Sequence, residues 1–222
     1  MDRLVPYTSP PSIDTLFKDD DSLWTLNVKP PWATALVYGV KNVENRDWVN
    51  PFKGARWTLI IASGKQTNAY AQDAKADLVK RLTDSGQAEW IEKLPIEHYQ
   101  YIVGLVKLRA LDFEQFTYDQ GLCSVWYNGM HPNEDGADSA LYVEAAFPFP
   151  TPIKHDKGML SMARFKTVST PSLHDAIVEQ LKLVGCPGPS TGPSADPFDS
   201  DDDEDNMDVE EPTVPTVPTV PT

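Results

Sequence analysis

Two consecutive prolines, Pro30 and Pro31, separate an alternating run, Leu23 to Val28 (LWTLNV), from a short apolar one, Trp32 to Tyr38. This junction limits the fold more tightly than any other part of the chain. Proline donates nothing to a strand ladder, so a strand over 23–28 stops there. Pro31 suits the first turn of a helix, where its missing N–H goes unused. Gly39 closes the apolar run, and glycine takes the left-handed cap conformation without strain. The helix between them is thus held to about two turns, which is short for a crossover between parallel strands. Val43 to Trp48 reads as a second strand, with Val43 and Asn45 on one face and Glu44, Arg46 and Trp48 on the other.

The remaining segments have their own punctuation. Trp57 to Ala62 (WTLIIA) is a continuous apolar run, expected as a strand buried on both faces. Asn68 to Ser85 repeats Tyr70, Ala74, Leu78 and Leu82 every fourth position and reads as the longest helix, with Gly86 past its end. Ala88 to Leu94 is expected to be a short helical piece stopped by Pro95. Strands are expected over Tyr101–Leu111, Leu122–Tyr127 and Ala140–Phe147, the last ended by Pro148, Pro150 and Pro152. Leu160–Val168 is read as the final strand and Ser172–Leu183 as a closing helix capped by Ser172. About six short strands with few long helices point to an α+β fold. The expected form is a small, mostly antiparallel β-barrel or rolled sheet with short flanking helices.

Composition divides the chain. The net charge is −14, but Asp196 to Glu211 holds 10 acidic residues, and no Lys or Arg follows Gly185. Setting those 10 acids aside leaves 23 against 19 bases, a net of −4. Overall charge therefore says little about the body's partners. Residues 1–22, proline-bearing and polar, are expected to be a flexible lead-in. Residues 23–185 form the domain. Residues 186–222 are expected to be a disordered tail: a Pro/Gly/Ser linker, the acidic block, and a Pro-Thr-Val repeat that favours polyproline II. Ser200, followed by Asp201, Asp202, Asp203 and Glu204, is a candidate for acid-directed phosphorylation. Two cysteines, Cys123 and Cys186, make no disulfide framework or zinc spacing. The four histidines show no ligand spacing, so neither a metal nor a cofactor is expected. Without a signal peptide's apolar stretch or a run of about 18 apolar residues, the chain reads as an intracellular protein, cytoplasmic or nuclear, and as a monomer.

The chemistry-bearing residues gather after Gly39. Lys41 supplies a mobile positive charge, Arg46 a planar fork suited to phosphate or a base edge, and Glu44 an acceptor for an exocyclic amine. Pattern alone is equally met by an exposed ion pair, which is common and contributes little. Ser63 and Lys65 follow a buried strand, a usual place for site residues as well as for plain turns. Trp32, and Trp126 with Tyr127, can stack a base or simply fill core.

Pro31, Trp32, Ala33, Gly39, Lys41, Glu44 and Arg46 resemble the defining motif of the ASCH domain family (activating-signal-cointegrator homology), in the PUA-like superfamily. WTLIIASGK (57–65), YIVGLVKL (101–108) and PIKHDKGMLSMARF (152–165) resemble its later strands. The similarity spans roughly residues 23 to 170. It implies a PUA-like barrel whose cleft, beside the short helix, is lined by Lys41, Glu44 and Arg46, and RNA as the ligand. Ser63, Lys65 and Trp32 complete the expected ligand-binding set. Some small bacterial proteins that resemble this family act as amidohydrolases on N4-acetylcytidine. Their lysine and arginine match Lys41 and Arg46, but their threonine falls at Glu44, which has no hydroxyl to offer. Three readings follow. The first is a binding module for RNA or a modified nucleoside. The second is an amidohydrolase on such a nucleoside, with Lys41 and Glu44 as catalytic candidates. The third is a protein-interaction module using the acidic tail.

Overall fold

The computed structural model describes residues 4–5, 8–46, 54–64, 68–95, 99–110, 125–126, 139–155, 162–167 and 170–188. The chain divides into two units, residues 1–190 and 191–222, and every described residue lies in the first. Of the expected tail, residues 186–188 are described: Cys186 is buried, and the Pro187 carbonyl accepts from Ile13 N at 3.0 Å. The rest of the tail, with Ser200, falls outside the described residues, as do Lys65, Tyr127 and the segment from Asn128 to Asp138.

Six strands form one mixed sheet, curled into a half-barrel. They are β1 (Leu23–Val28), β2 (Val43–Arg46), β3 (Arg56–Ala62), β4 (Tyr101–Ala110), β5 (Ser139–Lys154) and β6 (Met162–Arg164), in the order β2-β5-β4-β3-β1-β6. β1 and β3 run parallel, from Leu23 opposite Trp57 to Val28 opposite Ala62, and the other pairs are antiparallel. The helices are α1 (Ile13–Phe17), α2 (Trp32–Val37), α3 (Asn68–Asp84) and α4 (Pro171–Leu183).

The apolar run in β3 is buried on both sides, as its composition requires. Ile60 and Ala62 join Leu26, Val28, Val106 and Val143 under α2, which contributes Ala33, Leu36 and Val37. Leu59 and Ile61 face the opposite way, against Ile13 and Leu16 of α1 and Ile177 and Leu181 of α4. Each of the Val, Leu and Ile side chains among them stabilises the fold by about 1.5–3 kcal/mol relative to exposure. The seat of α2 depends on Gly104 in β4. A Cβ there would lie 2.5 Å from the Phe147 carbonyl oxygen and 2.9 Å from Val37 Cβ. Only a residue without a side chain lets the helix approach this closely.

Several expectations need correction. Where an extended lead-in is expected, Ile13–Phe17 is helical, capped by the Ser12 hydroxyl accepting from Thr15 N, because Ile13 and Leu16 find cover against α4. Val125 and Trp126 form a turn rather than part of a strand. Only Ala88–Trp90 of the expected 88–94 piece is helical, as a single 3₁₀ turn. β6 is three residues long and passes directly into a 3₁₀ turn at Phe165–Thr167. The cap of α4 is Thr170, whose hydroxyl accepts from Leu173 N, with Pro171 opening the helix.

β5 does not stop at its prolines. Gly104 pairs with Pro148 and Ile102 with Ile153, so the four residues Phe149–Pro152 bulge opposite Val103 alone. Prolines at every second position remove donors from one edge of a strand. β2 covers that edge of β5 only as far as Tyr142. Thr151 N instead donates to Gln180 Oε1 of α4 at 2.9 Å.

Candidate functional site

α2 places the motif charges. Gly39, at φ 71°, turns the chain out of the helix. The Val40 and Lys41 amides then both donate to the Ala35 carbonyl, at 3.1 and 3.0 Å. This wrap fixes Lys41 against the end of α2, where the helix's unpaired carbonyls favour a cation. Its Nζ donates to the Val43 carbonyl and to Glu44 Oε2, both at 2.5 Å. Glu44 Oε1 lies 3.0 Å from Arg46 Nη2, which also donates to the Asn27 carbonyl of β1 at 2.6 Å. One carboxylate thus sits between two cations.

These charges are not an exposed ion pair. The side chains of Lys41, Glu44 and Arg46 are 6%, 9% and 17% exposed. Removing ions from water opposes folding by several kcal/mol per ion, and their pairing only offsets it. Burial, partly opposed by Glu44, pushes the Lys41 ammonium below the usual lysine range, and Arg46 and Arg81 push it further the same way. A buried lysine so displaced at the edge of a cavity marks a candidate site.

The cavity holds about 220 Å³. Among the described residues, Lys41, Glu44 and Asn45 line it from the motif side, Trp32 from α2, Asp77 and Arg81 from α3, and Trp126 from its turn. The two indoles meet edge to face, 6.1 Å between centroids and 72° between planes. The turn that carries Trp126 is pinned twice. Asn45 Nδ2 donates to the Trp126 carbonyl at 2.8 Å, and Arg81 Nη1 to the Val125 carbonyl at 2.5 Å. Arg81 is itself steadied by both Asp77 oxygens at 3.1 Å, and its guanidinium lies over the Trp126 ring at 5.9 Å. Tyr70 of α3 is hydrogen-bonded to Trp32 and covered by the Lys29 ammonium 4.9 Å from its ring.

Of the candidates read from sequence, Trp32, Lys41 and Glu44 line this cavity. Arg46 lies behind it, in contact with Glu44. Ser63 ends β3, its amide donating to the Val28 carbonyl at 2.9 Å, and is not among the lining residues. Asn45 does line the cavity, although strand alternation sets it opposite Glu44. Asp77 and Arg81 were not foreseen, because an acid–base pair four apart on a helix is an ordinary surface pattern. Among the described residues no group of three or more His, Cys, Asp or Glu is placed to hold a metal ion, and no helix is long and apolar enough to cross a membrane.

The family model for the ASCH domain matches residues 26–140, half of the chain and the whole of this site. The chain belongs to the ASCH domain family. This ASCH protein is 46% identical to Activating signal cointegrator 1 of Mus musculus over 46 residues, and 46% identical to that of Homo sapiens over 42. Those matches cover 21% and 19% of the chain but only 8% and 7% of the relatives, so the chain spans under a tenth of their length. An ASCH structure from Zymomonas mobilis aligns over 72% of this chain and 96% of its own, at 14% identity and a TM-score of 0.41. A point mutant of it aligns over the same shares at 13% identity and a TM-score of 0.40.

Proposed function

We propose that this ASCH domain binds RNA and takes one unpaired or modified base into the cavity lined by Lys41, Glu44, Trp32 and Trp126. The observation that carries this reading is the buried Lys41–Glu44 pair on the cavity wall. An ammonium has three donors, and two of these are taken by Val43 and Glu44. The third is available to an acceptor inside. Glu44 takes one hydrogen bond on each oxygen and keeps lone pairs for a donor. A donor and an acceptor side by side suit a base edge with an exocyclic amine next to a ring acceptor, as in cytosine or adenine. Trp32, the less buried of the two indoles, supplies stacking surface, and Trp126 backs it edge to face. Arg46 positions Glu44, and Ser63 serves the RNA strand outside the cavity.

One observation favours a second reading, amide hydrolysis of an acylated nucleoside: burial lowers the Lys41 pKa, as nucleophile activation requires. Among the described residues the lining contains no Ser or Thr for a lysine to activate, and Glu44 has no hydroxyl to offer, so binding is the preferred reading. The test is titration with cytidine, adenosine, uridine and N4-acetylcytidine, followed by indole fluorescence and by product analysis. Quenching by the amine-bearing bases, weaker with uridine and lost in Lys41→Ala, supports binding. Release of acetate would establish the hydrolase instead, and unchanged fluorescence with every nucleoside would remove the cavity reading.

A further inference from the structure

The curled sheet has an outward surface that neither α1 nor α4 covers completely. Trp57 of β3 and Phe147 of β5, ring centroids 6.1 Å apart, stand at the border of the cluster that those helices cover. Beyond them lie Lys107 and Arg109 of β4, each with a side chain 38% exposed. The Lys107 ammonium is 6.0 Å from the Trp57 ring centroid, and the Arg109 guanidinium is 5.9 Å from that of Tyr142. Glu144, 26% exposed, lies between the two cations at 3.1 and 2.9 Å. The cluster is net positive on a chain whose overall charge is −14.

This surface is continuous with the strand that carries the cavity. Arg109 is in register with Tyr142, and Tyr142 with Val43, one residue before Glu44. Tyr142 also packs on the cluster that holds Trp126.

We propose that Trp57, Lys107, Arg109 and Tyr142 form a second contact surface for single-stranded nucleic acid, where bases stack on the rings and phosphates meet the two cations. Aromatic faces interleaved with cations are what a single strand needs, since every base has a π-face and every linkage a negative charge. The strand's direction follows from the register: it leads toward the cavity edge, so this inference rests on the RNA-binding reading above. Glu144 acts as a brake, because its carboxylate competes with phosphate for both cations.

The test compares a single nucleoside with a single-stranded RNA of about 12 nucleotides, long enough to reach both places, across a salt series. The proteins are wild type, Lys107→Ala/Arg109→Ala, and Glu144→Gln. The double substitution is expected to weaken the oligonucleotide roughly tenfold, and the log–log salt slope becomes shallower by about 1.4, at about 0.7 per phosphate lost. Glu144→Gln is expected to tighten it several-fold, a gain that a merely structural role would not produce. Nucleoside affinity should stay at the wild-type value in both. Oligonucleotide binding equal to wild type in both variants overturns the proposal while leaving the cavity reading in place. Loss of nucleoside binding in wild type, with oligonucleotide binding still sensitive to the substitutions, overturns the cavity reading and supports this surface. If the double substitution instead abolishes binding of a Glu/Asp-rich peptide and spares RNA, the surface docks protein and the proposal is wrong.

Discussion

Lys41 Nζ and Glu44 Oε2 are 2.5 Å apart, on side chains less than a tenth exposed, and Glu44 uses its other oxygen to hold Arg46. Glu44 is the only anion in this triad, so its removal leaves two buried cations facing each other. Glu44→Gln is expected to destabilise the fold by about 3 kcal/mol or more, the usual consequence of stranding a buried charge. Urea denaturation measures this. A loss under about 1 kcal/mol would mean that the pair is not buried as described.

The lowered pKa of Lys41 makes stability depend on pH in a definite direction. The folded state favours the neutral amine more than the unfolded chain does, whose lysine titrates near 10.5. Between the folded pKa and 10.5 the unfolded state binds more protons, so stability rises with pH and is lost as pH falls through the folded value. Tyr38 and Tyr70, both raised by burial, act oppositely above pH 10. Subtracting the Lys41→Met curve isolates the lysine. The difference between the two proteins is expected to shift in favour of wild type as pH rises toward 10.5. A flat difference counts against a depressed pKa.

Gly104→Ala is expected to destabilise by about 1–3 kcal/mol, the range for overpacking, because the new methyl meets both a backbone oxygen and Val37. Adding Val37→Ala should recover only part of the loss, since the Phe147 carbonyl remains. Full recovery in the double variant would show that the backbone contact is unimportant. Thermal melts followed by indole fluorescence report on both the fold and the seat of Trp32.

Arg81→Met removes one of two tethers on the Val125–Trp126 turn and the charge over the indole. Nucleoside affinity is expected to fall about tenfold, in line with a hydrogen bond to a charged group. Stability should change by less than about 1 kcal/mol, because Arg81 is a quarter exposed and its partner Asp77 remains solvated. Asn45→Ala should act in the same direction, and the two together should abolish the quenching assigned to Trp126. Wild-type affinity in the double variant would remove Trp126 from the site.

Much of the frame is legible because its signals are local. The alternation of LWTLNV, the turn chemistry of Pro31 and Gly39, and the four-residue spacing of Ala74, Leu78 and Leu82 each specify an element without help from elsewhere. What the sequence hides depends on distant partners. Pro148, Pro150 and Pro152 read as a strand end, but β5 continues because Val103 sits opposite a bulge and Gln180 takes the Thr151 amide. Five residues of α1 have no strong pattern, and their helix is decided by cover from Ile177 and Leu181. In the site, the shared face of Glu44 and Arg46 follows from strand alternation. The burial of Lys41 and the arrival of Arg81 and Asn45 at one cavity are set by how α3 and the Trp126 turn meet β2.

The two tethers on Val125 and Trp126 have a consequence for how this protein can vary. One tether comes from Asn45 of β2 and the other from Arg81 of α3. The place of Trp126 beside Trp32 is thus set by the two elements that hold its turn, not by how many residues lead to it from β4 or away from it to β5. Changes in the length of that connection are expected to leave the two indoles together.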